Sequence, residues 1–355
     1  MRLARDKTRR VSVGGVAIGG GAPVAVQSML TAPTACPEKA LAQTQALADA
    51  GCELVRAAIP NSTALEGFKQ LCEKSPVPII ADIHFDHRLA IQACELGASA
   101  LRINPGNIGS WDKVDAVIDA ARARRIPIRI GVNAGSIDRE LDARDDLSLA
   151  QKMALSATGF VRHFEQRGFE DIVLSAKAHD VGVTVEAYRS LSRDLPNIPL
   201  HLGITEAGTA FQGTIKSSVG LGILLAEGIG DTMRVSLTAD PVEEIPVAWG
   251  ILQALGLRRH SPELVSCPTC ARCQVEMIPI AREVEERLRS MRLPISVAVM
   301  GCEVNGPGEA RGADIGVACS RSGGAIFCQG QVVRRVPADQ IVDALFTEIA
   351  SRFQA

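Results

Sequence analysis

The chain has 355 residues, 46% hydrophobic and 22% charged, with a formal net charge of −2 and only 3% aromatic residues. That length suits one large domain plus a small one, and neither a basic field nor stacking platforms advertise nucleic acid. No run approaches the roughly 18 apolar residues of a membrane span, and the basic start, Met1–Arg10, leads into a segment broken by Gly14, Gly15, Gly19, Gly20, Gly21 and Pro23, a poor secretory signal, so a cytoplasmic location is expected.

Short β-branched runs recur along the chain, each followed by a helix-like stretch. Strands are expected at Val24–Met29, Glu53–Ile59, Pro78–Phe85, Ala100–Asn104, Pro127–Val132, Asp171–Ala176, Pro199–Ile204 and Thr232–Leu237. The helical segments between them carry stop signals: Gly51 after Ala50, Gly97 after Leu96, Pro127 after Arg125, Gly168 after Arg167 and Gly256 at the last. Eight βα units over about 250 residues predict a closed (β/α)8 TIM barrel. The glycine-rich Gly14–Gly21 precedes the first strand and lacks the dinucleotide turn, so it reads as a hairpin covering the barrel bottom. A boundary falls near residue 260, giving domains 1–260 and 261–355. The second reads as a small α+β domain: helix 274–291, strands 295–300 and 315–318, half a hairpin over 325–333, and helix 338–353.

In such barrels the strand C-termini carry the active site. Here those ends hold Gln27, Arg56, Asp82, His84, Arg102, Asn104, Arg129, Asn133, Lys177, Glu206, Arg234 and Ser236. Cations stand on five different strands, with Asp82 and Glu206 as the local carboxylates. A charge at the end of an apolar strand is costly unless paired, and a convergent Arg/Lys cluster suits a phosphate or diphosphate, which arginine meets with bidentate hydrogen bonds. His84, between Asp82 and Asp86, reads as a hydrogen-bonding residue or as half of a metal site. Thr214–Ser218 resembles the tail of a phosphate loop without its full spacing, leaving a hydroxyl-rich helix start as a phosphate cradle.

Of ten cysteines, Cys36, Cys52, Cys72 and Cys94 are scattered and read as small buried hydrophobes, whereas Cys267, Cys270, Cys273, Cys302, Cys319 and Cys328 crowd the last quarter. In a reducing compartment such crowding favours a metal over disulfides. Cys267-Pro268-Thr269-Cys270 is a rigid chelating turn, and Cys302 opens a Gly/Pro-rich loop. Thiolates select zinc, copper(I) or iron–sulfur clusters. A structural zinc with a fourth thiolate from Cys273, Cys319 or Cys328 is one reading; a cubane cluster with an oxygen ligand from Glu309 or Glu303 is another.

Taken together, Ala81–Asp86, Leu101–Asn107, Gly131–Ser136, Gly203–Gly208, Gly228–Thr232, Cys267–Cys270 and Asn305–Glu309 resemble the bacterial 4-hydroxy-3-methylbut-2-enyl diphosphate synthases of the non-mevalonate isoprenoid route, over nearly the whole chain. The resemblance implies a [4Fe–4S] cluster on Cys267, Cys270, Cys302 and Glu309. It implies 2-C-methyl-D-erythritol 2,4-cyclodiphosphate as substrate, its phosphates held by Arg56, Arg102, Arg129, Asn133, Lys177, Arg234 and Ser236, with Glu206 as acid/base group. It further implies reduced flavodoxin or ferredoxin as electron donor, and a homodimer in which one subunit's cluster domain caps its partner's barrel. Cys273 departs from the expected ligand pattern and reads as structural or incidental. The alternative from the residues alone is a non-redox barrel enzyme acting on a phosphorylated or pterin substrate, with a structural zinc.

Overall fold

A computed structural model describes residues 4–137, 139–302 and 309–353. The chain divides into two compact units, the first ending at Arg258 and the second beginning at Arg259.

The first unit is a parallel barrel. A hairpin of β1 (Val11–Val13) and β2 (Val16–Ile18) precedes eight parallel strands. These are β3 (Ala25–Met29), β4 (Leu54–Ala58), β5 (Ile79–Ile83), β6 (Ala100–Ile103), β7 (Ile128–Asn133), β8 (Ile172–Lys177), β9 (His201–Leu202) and β10 (Thr232–Met233). Neighbours pair in the order β8-β7-β6-β5-β4-β3-β10-β9, and a parallel bridge between Leu174 and Leu200 closes the ring. Helices on the outside cover each strand, so the middle strands are buried on both faces and read as continuous apolar runs. Val11, Val13 and Ile18 of the hairpin pack on Ala25, Leu54, Ile80 and Ala100 at the strand starts, sealing the bottom. The last two strands are far shorter than their β-branched runs predict. Their continuous parallel ladder runs only over His201–Leu202 and Thr232–Met233, with isolated bridges at Leu174–Leu200 and Thr209–Thr238.

Local signals fix the loops leading to the mouth. Asp86, Asp180 and Asp240 cap the helical segments that follow them, each accepting a hydrogen bond from a backbone N–H of the first turn. Ser148 and Gln151 form a reciprocal capping box at the head of helix Leu149–Gln166.

The second unit is a five-stranded mixed sheet: β11 (Glu263–Ser266), β12 (Ser296–Met300), β13 (Ile315–Ser320), β14 (Gly323–Cys328) and β15 (Gln331–Val336), in that order. Helices Met277–Arg289 and Ile341–Phe353 join β12, β13 and β14 in one core. Two strands here had no signal in the periodicity. β11 is a short, half-exposed edge strand, and the expected half-hairpin at 325–333 is two strands, with Gln329-Gly330 turning at positive φ between them.

Candidate active site

Three charged residues share one level of the barrel. Asp82 on β5 is in register with Arg102 on β6, and Arg102 with Arg129 on β7. All three are nearly fully buried. Asp82 lies 3.3 Å from Arg102 Nη1, 3.7 Å from Arg56 Nε and 3.4 Å from His84 Nε2. Burial alone would raise its pKa. The Arg56 charge, the His84 hydrogen bond and the Arg102 charge overcome that and hold the carboxyl well below the usual range. His84 is half-exposed and reaches both Asp82 and Arg102, which favours the hydrogen-bonding reading over a metal ligand.

Around this level stand the other cations. Arg56 is pushed down to about 10, chiefly by burial, with Asp82 opposing. Its Nε and Nη2 lie 3.2 and 2.7 Å from the Met29 thioether. Arg234 pairs with Glu244 at 3.3 Å. Lys177, at the end of β8, meets the ring of His201 at 3.1 Å. Arg129 differs from the rest: Nε, Nη1 and Nη2 are all buried and have no hydrogen-bond partner among the described residues. Burial first, then Arg56 and Arg102, push its pKa down, yet a guanidinium keeps its proton in a protein. A buried, charged fork with no partner among the described residues has the geometry to take the oxygens of an anion bidentately.

Glu206 stands exposed on the loop after β9 at φ +52, left-handed backbone that a non-glycine residue adopts at a cost. A second buried carboxylate at the cationic level is Glu244, at the start of helix Glu244–Ala254, where it also accepts from Ser28 Oγ and from the Leu237 N–H. No strand-end rule pointed to it, because it lies on a helix. Asn104 is buried and caps the turn Pro105–Ile108, its Oδ1 accepting from the Gly106 N–H. Gln27 is buried with Nε2 unpartnered among the described residues, while Asn133 and Ser236 are half-buried at the ends of β7 and β10. Thr214–Ser218 lies inside helix Ala210–Ala226, not at its start. Its amides serve the helix and offer no phosphate cradle.

Glycines keep the cationic level open. A Cβ at Gly131 would stand 2.6 Å from Arg102 Nε, and one at Gly203 2.6 Å from Lys177 Nζ.

In the second unit β11 and β12 run parallel with Ser266 beside Val299, so Cys267 and Cys302 leave the same edge of the sheet. The Gly301 N–H donates to Cys267 Sγ at 3.2 Å. Cys270 is exposed. The Arg272 N–H, helped by the Arg272 charge, lowers its pKa against the opposing effect of burial. Cys273 donates to the Val275 carbonyl at 3.2 Å and lies where a Cβ on Gly301 would be, 2.5 Å away. Cys319 is fully buried and pushed up to about 12, chiefly by burial. Among the scattered thiols, Cys52 and Cys94 are buried as expected, but Cys36 is exposed at the head of helix Pro37–Ala50. Residues 303–308 and the Glu309 side chain lie outside the described residues. Among the described ones no three His, Cys, Asp or Glu converge on a single ion. A four-iron cluster sets its ligands farther apart than one ion does. A soft donor set on one sheet edge, one thiol already poised toward thiolate and another accepting an N–H, fits an iron–sulfur group.

Fold and site thus define a (β/α)8-barrel protein with a cationic mouth and a cysteine-bearing α+β unit. The barrel matches the family described as the GcpE TIM-barrel domain over residues 8–249, and the second unit matches the GcpE protein C-terminal domain over residues 263–351. The chain belongs to the GcpE family. It is 54% identical over 345 residues, 97% of this chain and 98% of the relative, to a 4-hydroxy-3-methylbut-2-en-1-yl diphosphate synthase (flavodoxin) of Geobacter sulfurreducens. Proteins of the same name from Maridesulfovibrio salexigens (53% over 95% of this chain and 94% of the relative) and Geobacillus kaustophilus (49%, over 98% and 92%) are also similar. A solved Coxiella burnetii dihydropteroate synthase is 11% identical with a TM-score of 0.50, covering 69% of this chain and 99% of that one, a likeness of fold alone.

Proposed function

We propose that the chain is a reductive ring-opening enzyme that converts 2-C-methyl-D-erythritol 2,4-cyclodiphosphate to 4-hydroxy-3-methylbut-2-en-1-yl diphosphate, with flavodoxin as electron donor. The observation that carries this reading is the buried Arg129, without a hydrogen-bond partner among the described residues, amid Arg56, Arg102, Lys177 and Arg234. Relatives at about half identity along nearly the whole chain carry the corresponding name.

The reaction breaks the carbon–oxygen bond that closes the ring, expels a neighbouring hydroxyl as water, and consumes a pair of electrons and a pair of protons. A [4Fe–4S] cluster on Cys267, Cys270, Cys302 and Glu309 supplies those electrons one at a time when bound. The chain's own residues do the rest. Arg129 and Arg102 take the diphosphate oxygens bidentately, and Arg56, Lys177 and Arg234 neutralise the charge that grows on the departing oxygen. Asn133 and Ser236, half-buried at the strand ends, orient the same group. Asp82 keeps Arg56 and Arg102 in place and stays ionised. Glu206, exposed on a strained loop turn, passes a proton to the leaving hydroxyl.

The working form in this reading is a homodimer in which one subunit's cluster domain caps its partner's barrel. It is supported by an apolar stripe on helix Ala210–Ala226, where Phe211, Ile215, Val219 and Ile223 recur every fourth residue and are exposed. Unpaired thiols suit a reducing cytoplasm, and no described helix is long and apolar enough to cross a membrane.

Iron and acid-labile sulfide, measured in anaerobically purified protein, test the cluster assignment. About four of each per chain are expected, with Cys302→Ser losing both. One zinc and no sulfide would overturn it.

A further inference from the structure

The mouth contains a buried titratable group that the substrate reading leaves unused. His201, on β9, is fully buried, and its Nε2 is 3.1 Å from Lys177 Nζ. Its Nδ1 has no hydrogen-bond partner among the described residues. The pair is built, not incidental. The buried Tyr188 hydroxyl accepts from the Ala176 N–H at 3.2 Å and donates to the His201 carbonyl at 2.5 Å, tying β8 to β9 beside it. Gly203 leaves room for Nζ, since a Cβ there would stand 2.6 Å away.

Charge decides what this pair does. Lys177 faces Arg129 from β7, Arg56 from β4, Arg102 from β6 and Arg234 after β10. The buried carboxylates among these cations are Asp82, shared by Arg56 and Arg102, and Glu244, taken by Arg234. Neither makes an ion pair with Lys177. Guanidinium groups cannot shed their charge, but an amine can. We propose that His201 is a positioning residue that holds the Lys177 amine in the mouth and shares its proton, so that the pair takes up a proton when the anionic diphosphate arrives. The direction of the titration agrees. Burial first, then Arg129, Arg56, Arg234 and Arg102, hold Lys177 well below its ordinary value, and burial with Arg129 and Lys177 does the same to His201. An incoming diphosphate reverses the sign of the field, and the proton returns to the lysine. The inference rests on the mouth being the diphosphate site.

Calorimetric titration of the full chain with the cyclic diphosphate tests it, from pH 6 to 10 in phosphate-free buffers of unlike ionisation enthalpy. The ligand's own phosphate groups are strongly acidic and do not titrate there. For the wild-type protein we expect proton uptake on binding, and an affinity that weakens about tenfold per pH unit above a bend. His201→Ala removes the acceptor for the ammonium and moves the bend about one pH unit lower. His201→Gln, which restores an acceptor, returns it toward wild type. A merely structural histidine would weaken binding equally at every pH. Should the histidine variants not fold, Lys177→Gln replaces them, and must abolish both uptake and bend. Wild-type binding without proton uptake overturns the inference and leaves the site reading standing, as does a bend that His201→Ala does not move. Absence of wild-type binding removes the site reading itself, and this inference with it.

Discussion

Replacing Arg129 by methionine separates the cost of the site from its use. In the ligand-free protein the Arg129 guanidinium is a buried cation whose three nitrogens lack partners among the described residues. Each buried donor left unmade costs about 1–3 kcal/mol. Methionine fills much of the same space without donors; replacing buried charged groups by apolar side chains of similar volume stabilises by about 1–4 kcal/mol, so relief of about 2 kcal/mol is expected, and a domain of this size gains about 2–4 °C in melting temperature per kcal/mol. Arg129→Met therefore melts about 4–8 °C higher when ligand-free. Binding moves the other way. Loss of a bidentate, charge-assisted contact removes two bonds of about 1.5–3 kcal/mol each, or roughly a hundredfold to ten-thousandfold in affinity. Calorimetric melting with and without the cyclic diphosphate reads both effects in one experiment. The wild-type protein is stabilised by ligand, by about 2.7 kcal/mol at a hundred times Kd, and the variant is not. A variant that melts lower when ligand-free, yet keeps its ligand-induced shift, refutes the reasoning.

Gly131→Ala should act as an indirect arginine mutant. Its Cβ would press on Arg102 at 2.6 Å, so KM for the cyclic diphosphate rises about tenfold or more, a loss of one charge-assisted bond, as steady-state kinetics will tell. Asp82→Asn leaves Arg56 and Arg102 without their shared partner, and chemical denaturation should register a loss of about 3–5 kcal/mol. Because the folded pKa of Asp82 is depressed, its contribution is present above the unfolded value near ~4 and fades as pH falls below it. Wild-type stability should therefore decline in acid more steeply than that of Asp82→Asn. Lys177 gives a slope of the same sign in a more alkaline window. Its folded value is lowered, so below about 10.4 the unfolded chain binds more protons. Ligand-free stability should rise with pH through the alkaline range, and Lys177→Met should remove that slope.

The barrel was legible because its middle strands are fully buried runs bounded by glycine and proline, and because buried charges interrupt them. Arg102 and Arg129 stand out in the sequence for the same physical reason that they matter in the structure: ionic groups in apolar strands need a partner. What stayed hidden had no periodic signal. Glu244 reaches the mouth from a helix start, where an acidic residue normally serves the helix dipole. His201 begins a strand only two residues long, whose burial comes from ring closure rather than from its own pattern. β11 is a half-exposed edge strand held by pairing with β12. Glu206 reads from the sequence as a strand-end residue; it stands on the loop after β9, and the left-handed turn that holds it out in solvent carries no sequence mark. The chelating turn Cys267–Cys270 could be read from spacing, and the common edge it shares with Cys302 follows from parallel pairing that spacing alone does not reveal.

The most direct measurement is anaerobic turnover: the cyclic diphosphate, reduced flavodoxin and the purified chain, with product and oxidised flavodoxin counted together. The account predicts 4-hydroxy-3-methylbut-2-en-1-yl diphosphate formed with a pair of electrons per molecule, and none from Arg129→Met or Cys302→Ser at matched substrate. Product formed without consumption of reductant, or unchanged turnover by Cys302→Ser, would contradict it.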